Sequence, residues 1–280
     1  VAQTEKMRFD AKNRLGAEET YLKLCIFVNC HPKNVKAVKS IALFVYQWIV
    51  FMPLFLLITV ITALTVMIMA PVFGSRFWGY YPPHYWSRIT CWLALCPVKS
   101  SGHEKLDPNQ SYVFIANHQG AFDIFLVYGF LNQNIKWIQK QSLQKIPLVG
   151  YASKKAGHVF VNNSTATARA ATIERAKAQI TEGVSMVIFP EGARTYTGKM
   201  GRFKRGAYHI ARDLDLPVVP LTINGPFNVL KRNSRCIRPG RMELVIHDPI
   251  STTSLTDEEL AGLIDRSREI IHSALWEKYR

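Results

Sequence analysis

Apolar and polar residues are spread very unevenly along this chain. Residues 41–70, IALFVYQWIVFMPLFLLITVITALTVMIMA, carry no charge, and their polar side chains are Gln47 and the threonines. A soluble helix has no need of apolar surface all round over such a length. As one straight helix the block would run roughly 45 Å, against a hydrocarbon core of about 30 Å. That is too long for one untilted span and too short for two. Pro53 is placed to break it into two arms. The block is also too long for the apolar core of a signal peptide. The next stretch, up to Pro97, crowds together Phe77, Trp78, Tyr80, Tyr81, Tyr85, Trp86 and Trp92, residue types that favour the head-group level of a bilayer. His84 to Cys96 is expected to form a second, interfacial helix.

Beyond residue 100 the pattern becomes that of a globular domain. Tyr112–Ala116 (YVFIA) reads as a buried strand and Ala121–Leu131 as a helix. Ile135–Gln139 reads as a strand, Leu143–Lys155 as a helix, and Val159–Val161 as a short strand. Ser164 is a good N-cap for a helix running to Glu182, and Gly183 closes it. Met186–Phe189, Val218–Ile223 and Glu243–Ile246 read as strands, and Gly206–Asp213 as a helix. Thr256 with Glu259 makes a capping box for a last helix that places Leu260, Ile264, Ile271 and Leu275 on one face. Strands alternating with helices predict an α/β fold: a mixed sheet flanked by helices, with an N-terminal hydrophobic helical membrane anchor. The expected organisation is a basic and poorly ordered segment over 1–40, a membrane-anchoring helical segment over 41–98 and a catalytic domain over 99–280.

Charge sharpens this picture. The 280 residues hold 35 Lys+Arg against 20 Asp+Glu, a net charge of +15. Residues 1–40 hold 8 basic and 4 acidic side chains and residues 101–280 hold 24 and 16, whereas 41–100 hold only Arg76, Arg88 and Lys99. The surplus is therefore spread over the chain and is no nucleic-acid tail; nor is there a zinc-finger, RNP or helix-turn-helix signature. A diffuse basic surface attracts phospholipid head groups or an acidic carrier protein. Basic flanks on both sides of the apolar block disfavour a single crossing. A tilted or re-entrant helical pair leaves both flanks, and the catalytic domain, on the cytoplasmic face. The five cysteines, Cys25, Cys30, Cys91, Cys96 and Cys236, match no common zinc or redox spacing and read as free thiols in a reducing compartment.

Two short segments carry chemistry. In NHQGAFD, Asn117–Asp123, a buried strand ends at Ala116 and a polar loop follows, so His118 falls at the carboxyl edge of a strand, where α/β sheets expose ligand sites. Asp123 falls in the first turn of the next helix. On one continuous helix these two would point about 140° apart; across a loop-to-helix turn they can meet. A carboxylate there would fix the imidazole tautomer while the other ring nitrogen takes a proton from a hydroxyl. An N-capping Asp beside a loop His is the plainer alternative. No G-x-S-x-G elbow accompanies them. In FPEGARTYTG, Phe189–Gly198, the chain turns at Pro190 and Gly192 and throws Glu191 and Arg194 together. Arg194 offers a planar fork for phosphate or carboxylate, and Lys199, Arg202, Lys204 and Arg205 follow at once. A tight turn with a surface ion pair is the alternative here.

Taken together, NHQGAFD, KQSLQKIPLVG (Lys140–Gly150), FPEGAR and LPVVPLTI (Leu216–Ile223) resemble, in order, the blocks of the glycerolipid acyltransferase family, typified by 1-acyl-glycerol-3-phosphate acyltransferases. The resemblance covers roughly residues 100–250. It implies His118 as general base towards a lipid hydroxyl, with Asp123 orienting it. It implies an acceptor-phosphate site at Arg194, with Glu191 and Gly192 of the same turn. Backbone N–H groups around the FPEG turn would face the oxyanion, and Val218–Ile223 would line part of an acyl path or serve as a plain core strand. The expected partners are a lysophospholipid acceptor, an acyl carrier protein or coenzyme A thioester as donor, and membrane lipid. No metal and no cofactor is expected, nor nucleic acid. The expected product is phosphatidic acid, made on the sn-2 hydroxyl for phospholipid biosynthesis. One block departs: GHVFVNN, Gly157–Asn163, has Asn163 where the family usually has an Arg that helps hold the acceptor phosphate. That leaves room for another lysolipid or an acyl-amino-acid lipid as acceptor. A membrane protein that gathers anionic lipid without turnover would explain the charge and the anchor, but gives no reason for the pairing of the two motifs.

Overall fold

The computed structural model describes residues 40–161, 166–180 and 183–280. The chain forms two units, Val1–Val50 and Phe51–Arg280. In the first, residues 40–46 are α-helical and the Phe44 and Trp48 rings lie 6.3 Å apart. Ser40–Phe73 is a helix long and apolar enough to cross a membrane, with 17 % of its most apolar window buried. Much of that apolar surface is therefore left uncovered by protein, which a bilayer accommodates and water does not.

Pro53 does not break the block. The backbone widens into a π-helical turn over Gln47–Phe51, and Pro53 follows in the first turn of helix α1, Met52–Phe73. Its missing N–H falls beside that wide turn, where the regular bonding ladder is already interrupted. The chain turns back instead at Gly74, through the short helix α2, Ser75–Trp78, into α3, Tyr81–Leu93. This is the helix expected over His84 to Cys96, begun and ended three residues early. It returns along α1, with Trp86 Nε1 donating to Thr59 Oγ1 at 2.9 Å.

The second unit is built on one seven-stranded sheet in the order β1-β7-β6-β2-β5-β3-β4. The strands are β1 Val98–Ser101, β2 Val113–Ala116, β3 Asn134–Lys140, β4 Val159–Val161, β5 Val184–Ile188, β6 Val218–Asn224 and β7 Met242–Ile246. All neighbours run parallel except β6 and β7, which are antiparallel. The sheet is thus mixed. The apolar runs in β2, β5 and β6 are buried at every position, as strands covered on both faces must be. Val218–Ile223 lies inside the core in this way. The strand missed in the sequence, β1, reads VKSS and is half exposed at the sheet edge.

Helices α4, Phe122–Phe130, and α5, Val149–Lys155, follow β2 and β3; α6, Ala166–Lys177, follows β4. The single helix expected over Leu143–Lys155 is divided. Gln141–Lys145 is a 3₁₀ turn, Ile146 is extended ahead of Pro147, and Leu148 has φ +60°. The expected cap Ser164 and Asn163 lie outside the described residues; the helix expected to run to Glu182 ends at Lys177, where the Gln179 N–H turns to Ala176 O at 3.0 Å and residues 178–180 leave the helix. Helix α7, Gly206–Asp213, has the expected bounds, and a short helix α8 spans Pro226–Val229. The last helix, α9, Asp257–Ser273, starts at the expected capping box of Thr256 and Glu259. Helices α7 and α9 cover one face of the sheet, packing Tyr208, Leu260, Ile264 and Ile271 on Val113, Ile115 and Val218.

The anchor helix is joined to this domain by packing. Ala63, Val66 and Ala70 of α1 are buried against Ala152 of α5 and Ala156 just past its end, and the alanines let the backbones approach. Lys136 of β3 reinforces the joint. It is 2 % exposed, and its ammonium donates to Ser75 O at 2.9 Å and Ala156 O at 2.7 Å. Burial pushes its pKa down to about 8. Between that value and the ordinary value near 10.4, the unfolded chain holds a proton that the folded chain has lost, so this group makes stability rise with pH there. Lys136→Ala should leave both carbonyls unpaired beside a void and lower unfolding free energy by about 2–4 kcal/mol. Denaturant titration in micelles measures this, and the rise across pH 8–10 should disappear with the side chain.

Candidate active site

Strands β2 and β5 are parallel neighbours, with Ile115 opposite Ile188. Continuing that register past the strand ends sets His118 level with Glu191. The loops 117–121 and 189–195 therefore leave the carboxyl end of the sheet side by side, where α/β sheets gather their ligand sites. Asn117 extends the other edge of β2: its Nδ2 donates to Ile223 O at 2.9 Å, and Ile223 N donates to its Oδ1 at 2.8 Å. The side chain continues the ladder by one more rung, so the loop starts from a fixed point.

His118 and Asp123 meet. Nδ1 and Oδ2 are 2.6 Å apart; the Asp123 side chain is fully buried and that of His118 is 16 % exposed. The acid is sealed while the ring can be reached. The same carboxylate oxygen accepts the Gly120 N–H at 2.9 Å, which folds the loop back onto the start of α4. Gly120 is needed there, because a Cβ would stand 2.9 Å from Pro226 O. Burial pushes the Asp123 carboxyl above its ordinary range; the bond from His118 and the Gly120 and Gln119 N–H groups oppose that rise. Since Nδ1 faces an oxygen, it carries the proton, and Nε2 is the nitrogen left to act as a base.

Three further contacts fix the imidazole. Its peptide N–H donates to Glu191 Oε1 at 2.8 Å, and its peptide oxygen accepts from Thr195 N at 3.0 Å. Its ring lies flat on Phe189, centroids 4.0 Å apart and 9° from parallel. Glu191 Oε2 accepts the Gly201 N–H at 2.8 Å, so both carboxylate oxygens are engaged by backbone. Burial raises the Glu191 carboxyl, and these two N–H donors counter it. Glu191 thus ties the FPEG loop to the His118 loop and to the basic stretch beyond it.

Arg194 lies on the same loop, half-buried. Its carbonyl accepts from Arg232 Nη1 at 2.7 Å, and the Arg232 guanidinium sits 3.8 Å over the Tyr196 ring. Gly192 has φ +72°, and a Cβ on it would stand 2.8 Å from Lys204 Nζ. That turn therefore brings the Lys204 ammonium against Gly192, two residues before Arg194 in the chain. Of the expected oxyanion donors, the Gly192 N–H is engaged within the turn by Phe189 O at 3.0 Å. Among the described residues no group of His, Cys, Asp and Glu is arranged to hold a metal ion.

Sequence reasoning missed Arg232, Phe189 as a ring partner, and Tyr279. Nothing near Tyr279 in the chain points to the site. Its phenol is buried, with Trp276 stacked 5.9 Å away and Phe227 edge-on at 6.2 Å. Burial and the nearby Asp123 charge push it up to about 12. Asp123 Oδ1 and Tyr279 Oη are both buried and, among the described residues, without a hydrogen-bond partner.

Comparison with known proteins agrees with this geometry. Residues 97–224 match the Acyltransferase family. The chain is similar to a 1-acyl-sn-glycerol-3-phosphate acyltransferase of Chlamydomonas reinhardtii, 28 % identical over 85 % of this chain and 70 % of that one. It is 30 % identical to the coconut (Cocos nucifera) protein of that name over 68 % of this chain, and 32 % identical to the mouse (Mus musculus) alpha form over 64 %. The matched stretch spans under two thirds of these last two proteins, 60 % and 62 % of their lengths. Among solved structures, the 1-acyl-sn-glycerophosphate (LPA) acyltransferase PlsC of Thermotoga maritima has the same fold. The TM-score is 0.68 at 24 % identity, over 86 % of this chain and 99 % of that one. The order of the motifs, the meeting of their side chains at one sheet edge and these matches agree: the chain belongs to the acyltransferase family.

Proposed function

We propose that this protein moves a fatty acyl chain from an acyl-coenzyme A or acyl carrier protein thioester to the sn-2 hydroxyl of 1-acyl-glycerol-3-phosphate, giving phosphatidic acid. The observation that carries the reading is the 2.6 Å contact between His118 Nδ1 and Asp123 Oδ2 beside the FPEGAR loop. In this reading His118 Nε2 takes the hydroxyl proton as the oxygen attacks the thioester carbonyl. The tetrahedral intermediate collapses, the C–S bond breaks, and the proton passes from His118 to the leaving thiolate. Ester and thiol are the products, and the base is regenerated. Asp123 holds the tautomer and stabilises the imidazolium. Arg194 binds the acceptor phosphate, with Gly192 giving that turn its shape and Glu191 holding it in place. Residues 41–98 anchor the protein and 99–280 carry the reaction, on the cytoplasmic side. The basic flanks and the outward apolar face of the 40–73 helix support that placement.

Incubation of the protein in micelles with acyl-coenzyme A and a panel of lysolipids, read by mass spectrometry, tests the reaction and the acceptor. Phosphatidic acid should dominate; a product from an acceptor lacking the phosphomonoester would move the assignment to another lysolipid. His118→Ala should abolish product while leaving membrane binding intact. Asp123→Asn keeps the shape but not the charge and should lower kcat by roughly a thousandfold or more. Equal turnover in either variant removes the mechanism.

Arg194→Ala should raise KM for the phosphate-bearing acceptor roughly 10- to 100-fold, the size of a lost charge-assisted bond, with little change for the thioester. Glu191→Gln can keep only one of the two N–H bonds and should lower kcat by about 100-fold through misplacement of His118. Both are read from steady-state kinetics.

A further inference from the structure

The segment between β3 and α5 has a surface that folding does not explain. Residues 140–149 are all exposed, although Leu143, Ile146, Leu148 and Val149 are among them; Tyr151 follows, and these five apolar side chains are each 38–51 % exposed. A water-facing loop is ordinarily polar, and a run of bare aliphatic side chains marks a surface made for contact. The segment is not a loose strap. Gly150 N donates to Ile146 O and Ala152 N to Leu148 O, both at 2.8 Å. At its far end Ala152 and Ala156 are packed into Ala63, Val66 and Ala70 of the anchor helix. The exposed row is thus fixed beside the helix whose own outward face, with Ile68, Val72 and Phe73, is lipid-like.

At this joint lies a cleft of about 440 Å³, lined by Pro71 and Ser75 at the end of the anchor and by Tyr151, Lys154 and Lys155 of α5. Lys155 Nζ lies 5.4 Å over the Tyr151 ring. Among the described residues, neither lysine has a carboxylate partner, whereas Lys99, Lys105 and Lys177 each have one. Lys140 precedes the aliphatic row, Lys145 lies within it, and both are exposed. Cations over a cleft, with aliphatic side chains beside it and a lipid-facing helix as one wall, fit a ligand with a negative head and apolar tails.

We propose that this cleft binds the head group of an anionic phospholipid of the bilayer, with its phosphate between Lys154 and Lys155, while Leu143, Ile146, Leu148 and Val149 dip into the same leaflet. The site goes beyond the acyl-transfer reading, since it needs neither His118 nor Arg194. It adds a second point of contact to the anchor and makes the docking of the domain depend on lipid charge.

The test uses the full chain carrying His118→Ala, so that turnover plays no part. Native mass spectrometry from neutral detergent, titrated with phosphatidylglycerol and separately with phosphatidylcholine, should show one lipid retained with preference for phosphatidylglycerol. Lys154→Glu with Lys155→Glu should weaken that retention about tenfold or more. Arg266→Glu with Asp265→Lys, an exposed pair on α9, serves as the control and should leave it unchanged. Hydrogen exchange over 143–151 should slow in vesicles containing phosphatidylglycerol compared with phosphatidylcholine alone, and the lysine variant should lose the difference. A milder pair, Lys154→Gln with Lys155→Gln, guards against misfolding and should show a smaller loss in the same direction. Unchanged retention in both lysine pairs, or an equal loss in the control, overturns the site. Competition by an acidic carrier protein for the same lysines overturns it as well, in favour of a protein partner.

Discussion

Everything at this sheet edge depends on holding one imidazole from several sides at once. A loop histidine has many rotamers and an unfixed tautomer, and either freedom would spoil a proton transfer that needs its acceptor placed to within fractions of an ångström. Here the main chain is held at N–H and C=O by Glu191 and Thr195, the ring is held at Nδ1 by Asp123, and one ring face lies on Phe189. Only Nε2 and the second face are left for chemistry. The arrangement works because β2 and β5 are parallel neighbours that end level. A sheet with another strand between them would separate the two loops by about 5 Å more, beyond the reach of one glutamate side chain.

The ring stack extends further than the site. Phe189 lies against Trp137 at 5.6 Å, Trp137 against Tyr128 at 6.1 Å, and Tyr128 against Tyr80 at 5.8 Å. A continuous row of aromatic rings thus runs from the head of α3 through α4 and β3 to the loop that starts at Phe189. Rings are stiff and bury large areas, so such a row passes positional constraint from the anchor hairpin to the His118 ring. Thr59, Phe55, Trp86 and Phe125 make a second connection between α1, α3 and α4.

Much of this architecture was legible in the chain because its strands are covered on both faces. Such strands are unbroken apolar runs, and β2, β5 and β6 were found that way. The edge strand β1 was not, because VKSS has neither an apolar run nor a clean alternation. Pro147 is hidden inside a helical pattern of apolar residues, yet it forces Ile146 into an extended backbone. Pro53 looks like a break in the sequence, but a single wide turn beside it absorbs the missing donor. His118, Asp123, Glu191 and Arg194 stood out because each pair sits within a few residues of its partner. Arg232 and Tyr279 could not, because only the folding of distant segments brings them beside these loops, and the stacking on Phe189 requires the registry of two strands. Asn163, the one departure from the family pattern, lies outside the described residues.

The joint at Lys136 has a mechanical consequence. A tethered enzyme wanders over a hemisphere above its membrane and samples lipids by chance. This one has its helix pinned to the sheet by alanine packing and by an ammonium shared between Ser75 O and Ala156 O. It is a stand and not a leash. The height of the His118 ring relative to the helix is then fixed, so thickening or thinning a membrane around that helix would raise or lower the ring relative to the lipid glycerol backbones.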